Sequence, residues 1–394
     1  NVLLTLYDYS KDTELMELVK TTLNILLLDM ISDMDGNSYG GARGRVKEKT
    51  IIGERNSPLD EIIYIYFGKS AWDIKTFYPE FIKTNWTTSN QAIMSSFIPD
   101  KIIYDIIKNK NFNYINEERK HLHNTEDLLP EDPTDASIYK YTKVVAGKYI
   151  LGAIQYQDDY PSYIKSSNYA KHQQLEWSFI STEESREKVQ IFTHHPGNSV
   201  QHSYWIGDWG CGCISTFQNN GIVLAIFNIG TFDKFKFIHA YYPKDKFDEV
   251  VENERWIFSR LGDVYTALYF VNEYYWTTSG EWSGKEIISK GTINANVFVA
   301  GDVNEYGSFG NFINNVSNSI VLFNRKKLEL KFNFVDRPTL LMDFRGKREV
   351  NGISYPLNKK LYSSPFMNAD WGSNTINVSS TNMSKKYLIN WKEI

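Results

Sequence analysis

Apolar positions recur at helical spacing between Asp12 and Met34, where Leu15, Leu18, Val19, Thr22, Leu26, Leu27 and Met30 fall along one stripe. Residues three and four apart share a helix face, so the pattern predicts an amphipathic helix. It runs into DGNSYGGARGR at 35–45, whose glycines Gly36, Gly40 and Gly41 end the helix and allow a tight polar loop. Shorter helical pieces follow at 59–67, 86–97 and 99–108, the last two parted near Pro99. Residues 1–137 are therefore expected to form a helical domain with long loops. Its end, 118–137, is rich in His, Asp, Glu and Pro and is expected to be a linker or crossing segment.

Beyond that point the helical period is lost. VVAGKYILGAIQY, QLEWSFI, KVQIFTH, GIVLAIFNI, FKFIHAYY, RWIFSRL, VYTALYFV, SIVLFN, LELKFNFV and LLMDF are short aromatic or β-branched runs separated by turn residues. Together they predict a large antiparallel β-sandwich over 138–394 and place the chain in the α+β class. Several runs lack strict alternation, as strands covered on both faces would.

Composition narrows the picture. With 394 residues, 42% hydrophobic and 23% charged, the chain has room for two folded domains and little tendency to disorder. The formal charge of -4 comes from interspersed signs, so there is no broad positive field and nucleic acid is not an expected partner. LNILLLDMI at 23–31 is too short, and too near Asp29 and Asp33, to span a bilayer; no membrane span is expected. Cys211 and Cys213, the two cysteines, stand in a C-G-C spacing that is weak evidence for a disulfide and reads as free thiols. The chain starts at Asn1 without a signal-like segment, so a missing N-terminal segment or a partner chain is expected. Localisation stays open: secreted or periplasmic if a signal has been removed, otherwise cytoplasmic.

The densest chemistry lies in THHPGN at 193–198 and QHSYWIGDWGCGC at 201–213. Indole and phenol rings cover the apolar face of a pyranose while imidazole, carboxylate and hydroxyl groups meet its hydroxyls, so these loops point to a carbohydrate ligand. Trp205 and Trp209 are the stacking candidates, and His195 the member of the His194–His195 pair chosen to face a ligand. Arg43 and Arg45, in the glycine loop beside Tyr39, offer guanidinium forks for a carboxylate or sulfate. HAYYPKDKFDEV at 239–250 adds His239 and Tyr241 at a strand-to-loop transition. One histidine with dispersed acids defines no metal site, and neither a metal nor a cofactor is expected.

YGGARGR at 39–45, KHQQLEWSFI at 171–180, IFTHHPGN at 191–198, HSYWIGDWG at 202–210 and HAYYPKDKFDEVVENERWIFSRLGDVYTALY at 239–269 resemble blocks of bacterial heparinase II/III-like polysaccharide lyases. Related architecture occurs in glucuronide-cleaving glycoside hydrolases. The resemblance implies a partial α/α toroid before the sandwich, with an acidic polysaccharide or oligosaccharide bound in the cleft between them. The helical part here is short for a full toroid.

A lyase must neutralise the uronate carboxylate, remove the α proton and protonate the leaving oxygen. His202 and Tyr204 are the foremost pair, because an i,i+2 spacing on a strand puts both on one face. His239 is a further catalytic candidate. A hydrolase would instead need two carboxylates, for which Asp208 is foremost and Asp263 or Glu273 a companion. A noncatalytic glycan-binding protein would use Tyr204, Trp205 and Trp209 for stacking alone. GDVNEYGSFGNFINNVSNS at 301–319 is turn-rich and reads equally as a surface for partners and as ordinary sandwich connections.

Overall fold

The computed structural model describes residues 2–36, 38–44, 52, 58–68, 90–121, 137–156, 174–183, 186–196, 204–205, 213–335, 337–357 and 360–389. Helix α1 (Val2–Tyr9) leads into α2 (Thr13–Ser32), the helix that the apolar spacing predicts. Asp12 caps α2, its carboxylate accepting from the amides of Glu14 and Leu15 and so satisfying two of the donors that a helix start leaves open. Shorter helices follow at Pro58–Phe67, Asn90–Met94 and Lys101–Asn109.

The rest is a set of antiparallel sheets. The largest has twelve strands, in the order β16 (Tyr274–Trp276), β17 (Glu286–Lys290), β12 (Phe237–Tyr241), β9 (Gln190–His194), β8 (Trp177–Ser181), β6 (Tyr149–Tyr156), β5 (Ser137–Val145), β4 (Tyr114–His121), β24 (Lys360–Ser363), β25 (Met367–Asp370), β26 (Thr375–Ser379) and β27 (Ser384–Leu388). A six-stranded sheet runs β10 (Ile214–Asn219), β11 (Ile222–Asn228), β18 (Ile293–Asp302), β15 (Val264–Phe270), β14 (Trp256–Leu261) and β13 (Glu249–Asn253). Five strands pair in chain order: β19 (Ile320–Asn324), β20 (Glu329–Asn333), β21 (Leu340–Asp343), β22 (Arg348–Val350) and β23 (Ile353–Ser354). Two small pairs complete the set, β1 (Met34–Asp35) with β2 (Ser38–Tyr39), and β3 (Arg43–Gly44) with β7 (Gln174–Leu175).

Alternation assigns the faces. Tyr149, Leu151 and Ala153 of β6 join Trp177 and Phe179 of β8 in one core with Val223, Ala225 and Phe227 of β11 and Phe298 of β18. The intervening Ile222, Leu224 and Ile226 enter a second core with β20 and β21. The six-stranded sheet is thus apolar on both faces, which accounts for unbroken runs such as GIVLAIFNI. On the other face of the twelve-stranded sheet, Val144, Ile150 and Ile180 pack with the helices through Leu27, Leu28, Ile31 and Ile103.

Three segments depart from expectation. YINEERKH, assigned partly to a helical domain and partly to a linker, is β4, so the sheet begins before residue 138. The turn-rich 301–319 contains the helices Val303–Tyr306 and Phe309–Ser317, and it buries Tyr306, Phe309, Phe312 and Val316. Its apolar side is therefore spent on the core. Cys213 is buried and disulfide-bonded, which overturns the free-thiol expectation.

One loop lies directly on the outer face of the large sheet. Ser178 Oγ donates to the Gly41 carbonyl at 2.9 Å, and Arg43 pairs with Leu175. Gly41 has φ +79°, and a Cβ on Gly152 would stand 2.7 Å from its Cα. Both positions need glycine: Gly41 for its dihedral and Gly152 for the backbone approach. Gly152→Ala is expected to lower stability by about 1–3 kcal/mol, the usual cost of overpacking. Urea unfolding of the variant checks it, and an unchanged midpoint would contradict this docking of the loop.

Candidate functional site

The outer face of the twelve-stranded sheet carries polar groups that are nonetheless buried. Register builds the site: β12 places His239 opposite His194 of β9 and Ile288 of β17, and Tyr241 opposite Phe192 and Glu286. Because side chains alternate, His239 and Tyr241 share the face on which Phe192, His194 and Glu286 stand.

His239 is the centre of this group and is fully buried. Its Nδ1 lies 3.0 Å from Glu286 Oε1, and Glu286 Oε2 accepts from the Thr277 hydroxyl at 2.7 Å. Burial, with smaller effects from His194 and His195, depresses the His239 imidazole to about 4 despite the glutamate. At neutral pH the ring is therefore uncharged, Nδ1–H donates to the carboxylate, and Nε2 keeps its lone pair. Nε2 is buried without a hydrogen-bond partner among the described residues. Glu286 is held below the usual glutamate range: burial opposes ionisation, but hydrogen bonds from His239, Thr277 and Tyr204 outweigh it.

Tyr204 and Trp205 close over this pair. The Trp205 indole stacks on the imidazole with centroids 4.1 Å apart and planes 2° from parallel. Tyr204 meets the same ring edge-on at 4.7 Å and hydrogen-bonds Glu286. Burial and then that carboxylate raise its phenol far above the ordinary range, so it stays protonated. Tyr204 is half-buried, whereas Trp205 is wholly buried among Phe192, Tyr241 and Trp282.

A second buried group lies under the helices. Lys140 Nζ forms an ion pair with Asp33 and stands 3.5 Å from the Tyr39 hydroxyl. Asn116 donates to Asp33 at 3.0 Å and Glu118 at 2.6 Å, and Lys120 bridges Asp29 and Glu118 at 2.7 and 3.0 Å. Burial and then the Glu118 charge push Asp29 up to about 6. The Arg43 guanidinium sits 5.5 Å from the Tyr39 ring centroid. The glycine loop thus spans from this charge network at Tyr39 to the β3–β7 pair at Arg43.

The structure brings Tyr204, Trp205, His239 and Tyr241 into one cluster. Tyr204 and Trp205 sit in a turn rather than on the strand expected for His202 and Tyr204. Trp205 and Tyr241 are buried, and their rings pack within the cluster. His195 leaves β9 and places Nε2 2.8 Å from the Phe235 carbonyl, while His194 is the one that stands opposite His239 and 3.5 Å from Glu176. Tyr39 and Arg43 belong to the neighbouring loop, Asp263 to the β14–β15 turn and Glu273 to the segment entering β16. His202, Asp208, Trp209 and Arg45 lie outside the described residues. Among the described residues, no group of three or more His, Cys, Asp or Glu side chains is arranged to hold a metal ion.

Sequence reasoning passed over Glu286, Thr277, Glu176 and Trp282. GKEIISK gives no local sign that its glutamate is buried, since the partner, His239, is 47 residues away and meets it only through sheet register. A search of protein-family models finds none that matches the chain, and a search of curated proteins returns no match.

The His239 titration has a consequence for stability. The unfolded imidazole, near 6.5, takes up a proton at higher pH than the folded one, near 4. Its contribution is therefore intact above about pH 6.5 and declines as pH falls toward about 4, with no further loss below. Replacing it by His239→Asn is expected to flatten the decline over that window, as measured by urea midpoints across the pH range. An unaltered slope would contradict a neutral buried imidazole.

Proposed function

We propose that the chain is a carbohydrate-active enzyme that cleaves a uronic-acid-containing polysaccharide or oligosaccharide by β-elimination. The observation that carries this reading is the half-exposed Tyr204 phenol, protonated and held by Glu286, with His239 behind it. In this reading the helices form a partial α/α toroid over one face of a β-sandwich, whose other layer is the six-stranded sheet.

Tyr204 is the catalytic residue among those described, because it is half-exposed while His239, Glu286 and Trp205 are buried. As the C5–H bond breaks, its electron pair forms the C4=C5 double bond and the C4–O bond opens. The Tyr204 proton leaves its hydrogen bond to Glu286 for the departing oxygen, and the base that received the C5 proton returns one to the phenolate. His202 is the sequence's candidate for that base. Glu286 and His239 are positioning residues that fix the phenol's direction, and Arg43 is suited to the sugar carboxylate.

The carboxyl groups favour elimination over hydrolysis. A glycoside hydrolase needs one protonated carboxyl of raised pKa beside an ionised one. Among the described residues, Glu286 is shifted the opposite way, and the buried Asp29, Asp33 and Asp35, raised by burial, are bonded to Lys120, Lys140 and Thr182. Glu117, also raised by burial, stands on β4, away from the cluster on β12 and β17. The binding-module reading is weakened by Trp205, whose ring is enclosed and stacked on His239.

Mass spectrometry of products from a panel of uronic-acid polysaccharides in ordinary and oxygen-18 water tests the proposal. Unsaturated, unlabelled ends are expected; saturated, labelled products would establish hydrolysis instead. Tyr204→Phe is expected to cut turnover by at least about 100-fold, the scale of a lost general acid, while His239 still titrates near its original pH. Near-normal turnover in that variant would remove Tyr204 from the mechanism.

A further inference from the structure

The edges of the three large sheets meet around a cavity of about 600 Å3 that the site described above does not use. Arg255 comes from the β13–β14 turn, Lys290 from the end of β17, and Arg325 from the β19–β20 turn. Among the described residues none of these three cations has an ion-pair partner, and all three are exposed. Arg255 and Arg325 are anchored by backbone contacts: Arg255 Nη1 donates to the Val271 carbonyl, and Arg325 Nη1 to that of Ile293 at 3.0 Å. Arg325 also donates to Asn272. The forks are thereby oriented before any ligand arrives, which reduces the ordering that binding must impose.

The remaining wall has a different character. Tyr275 is 46% exposed and lies under the Lys290 ammonium, 5.3 Å from ring centroid to Nζ. Among the described residues, Glu273 is the one carboxylate lining the cavity. Tyr275 also leads back to the cluster. It stands opposite Ile288, which stands opposite His239 on the other side, so the three occupy one cross-strand row.

We propose that this cavity is a distal subsite for an acidic sugar unit, on a glycan that continues across Tyr275 to Tyr204. The three cations take the carboxylate or sulfate, the Tyr275 ring covers an apolar sugar face, and Glu273 accepts from a hydroxyl. The volume falls within the range of about 300–1,000 Å3 usual for small-ligand sites. A nucleic acid fits less well: a phosphate chain meets Glu273 here and the net charge of -4 over the whole protein. The ligand class rests on the proposed function; the subsite, its location and its charge requirement go beyond it.

Isothermal titration with a uronate tetrasaccharide, the matching disaccharide and a single-stranded DNA oligonucleotide tests the proposal. The variants are the triple Arg255→Gln/Lys290→Gln/Arg325→Gln and Lys290→Gln alone. Among the described residues Lys290 makes no side-chain hydrogen bond and its ammonium contacts only the Tyr275 ring face, so the single variant keeps the test valid should the triple one fold poorly. The triple variant is expected to weaken tetrasaccharide binding about tenfold or more and to reduce its salt dependence, leaving the disaccharide unchanged. Lys290→Gln is expected to weaken the tetrasaccharide by a few-fold. Unchanged tetrasaccharide binding in both variants, no saccharide binding by the wild-type protein, or tighter binding of the oligonucleotide would each overturn the subsite. Cation-dependent binding without any product would leave the subsite standing and remove the elimination reaction. Product formation with binding indifferent to these substitutions would do the reverse.

Discussion

Removing Glu286, His239, Glu118 and Lys140 from water on one sheet face is costly unless each finds a partner, since an unpaired buried charge loses several kcal/mol. The two faces of the twelve-stranded sheet meet this constraint differently. Its inner face is apolar and closes on the six-stranded sheet by ordinary packing. Its outer face mixes apolar positions with buried polar ones and is covered by elements that bring complementary groups: α2 and its C-terminal cap supply Asp29 and Asp33 to Lys120 and Lys140, and the 204–205 turn supplies a phenol and an indole to Glu286 and His239. The loop at 38–44 lies between these two assemblies, and its close approach at Gly41 and Gly152 ties them to the same strands.

The outer face thereby becomes a place where protonation states are fixed. Burial keeps His239 neutral, hydrogen bonds keep Glu286 ionised, and the same carboxylate keeps Tyr204 protonated. These shifts have one physical origin, a buried carboxylate shared by three donors.

Elements whose period matched their burial were legible in the sequence. The stripe of α2 and the apolar runs of β8, β11 and β15 each follow from one simple environment. Misreadings arose where that link fails. β4 alternates Asn116, Glu118 and Lys120 against a buried charge network, so its polar positions look like those of a linker. β18 carries Asn294 and Asn296 into the interior, and the helix Phe309–Ser317 sets its apolar residues among Asn and Gly that suggest turns. Within the site, Tyr204, Trp205 and His239 were marked by their unusual local chemistry. Glu286 was not, and His194 was marked only as one of a pair from which His195 was chosen, because only pairing between distant strands sets their positions.

The central claim is that an acidic glycan presents its scissile oxygen to the Tyr204 phenol. A crystal structure of the Tyr204→Phe protein with a uronate oligosaccharide tests it most directly. The account predicts the bridging oxygen within hydrogen-bond reach of the position vacated by the phenol hydroxyl, with the chain extending over Tyr275. A saccharide bound elsewhere on the molecule, with that position left to solvent, would contradict it.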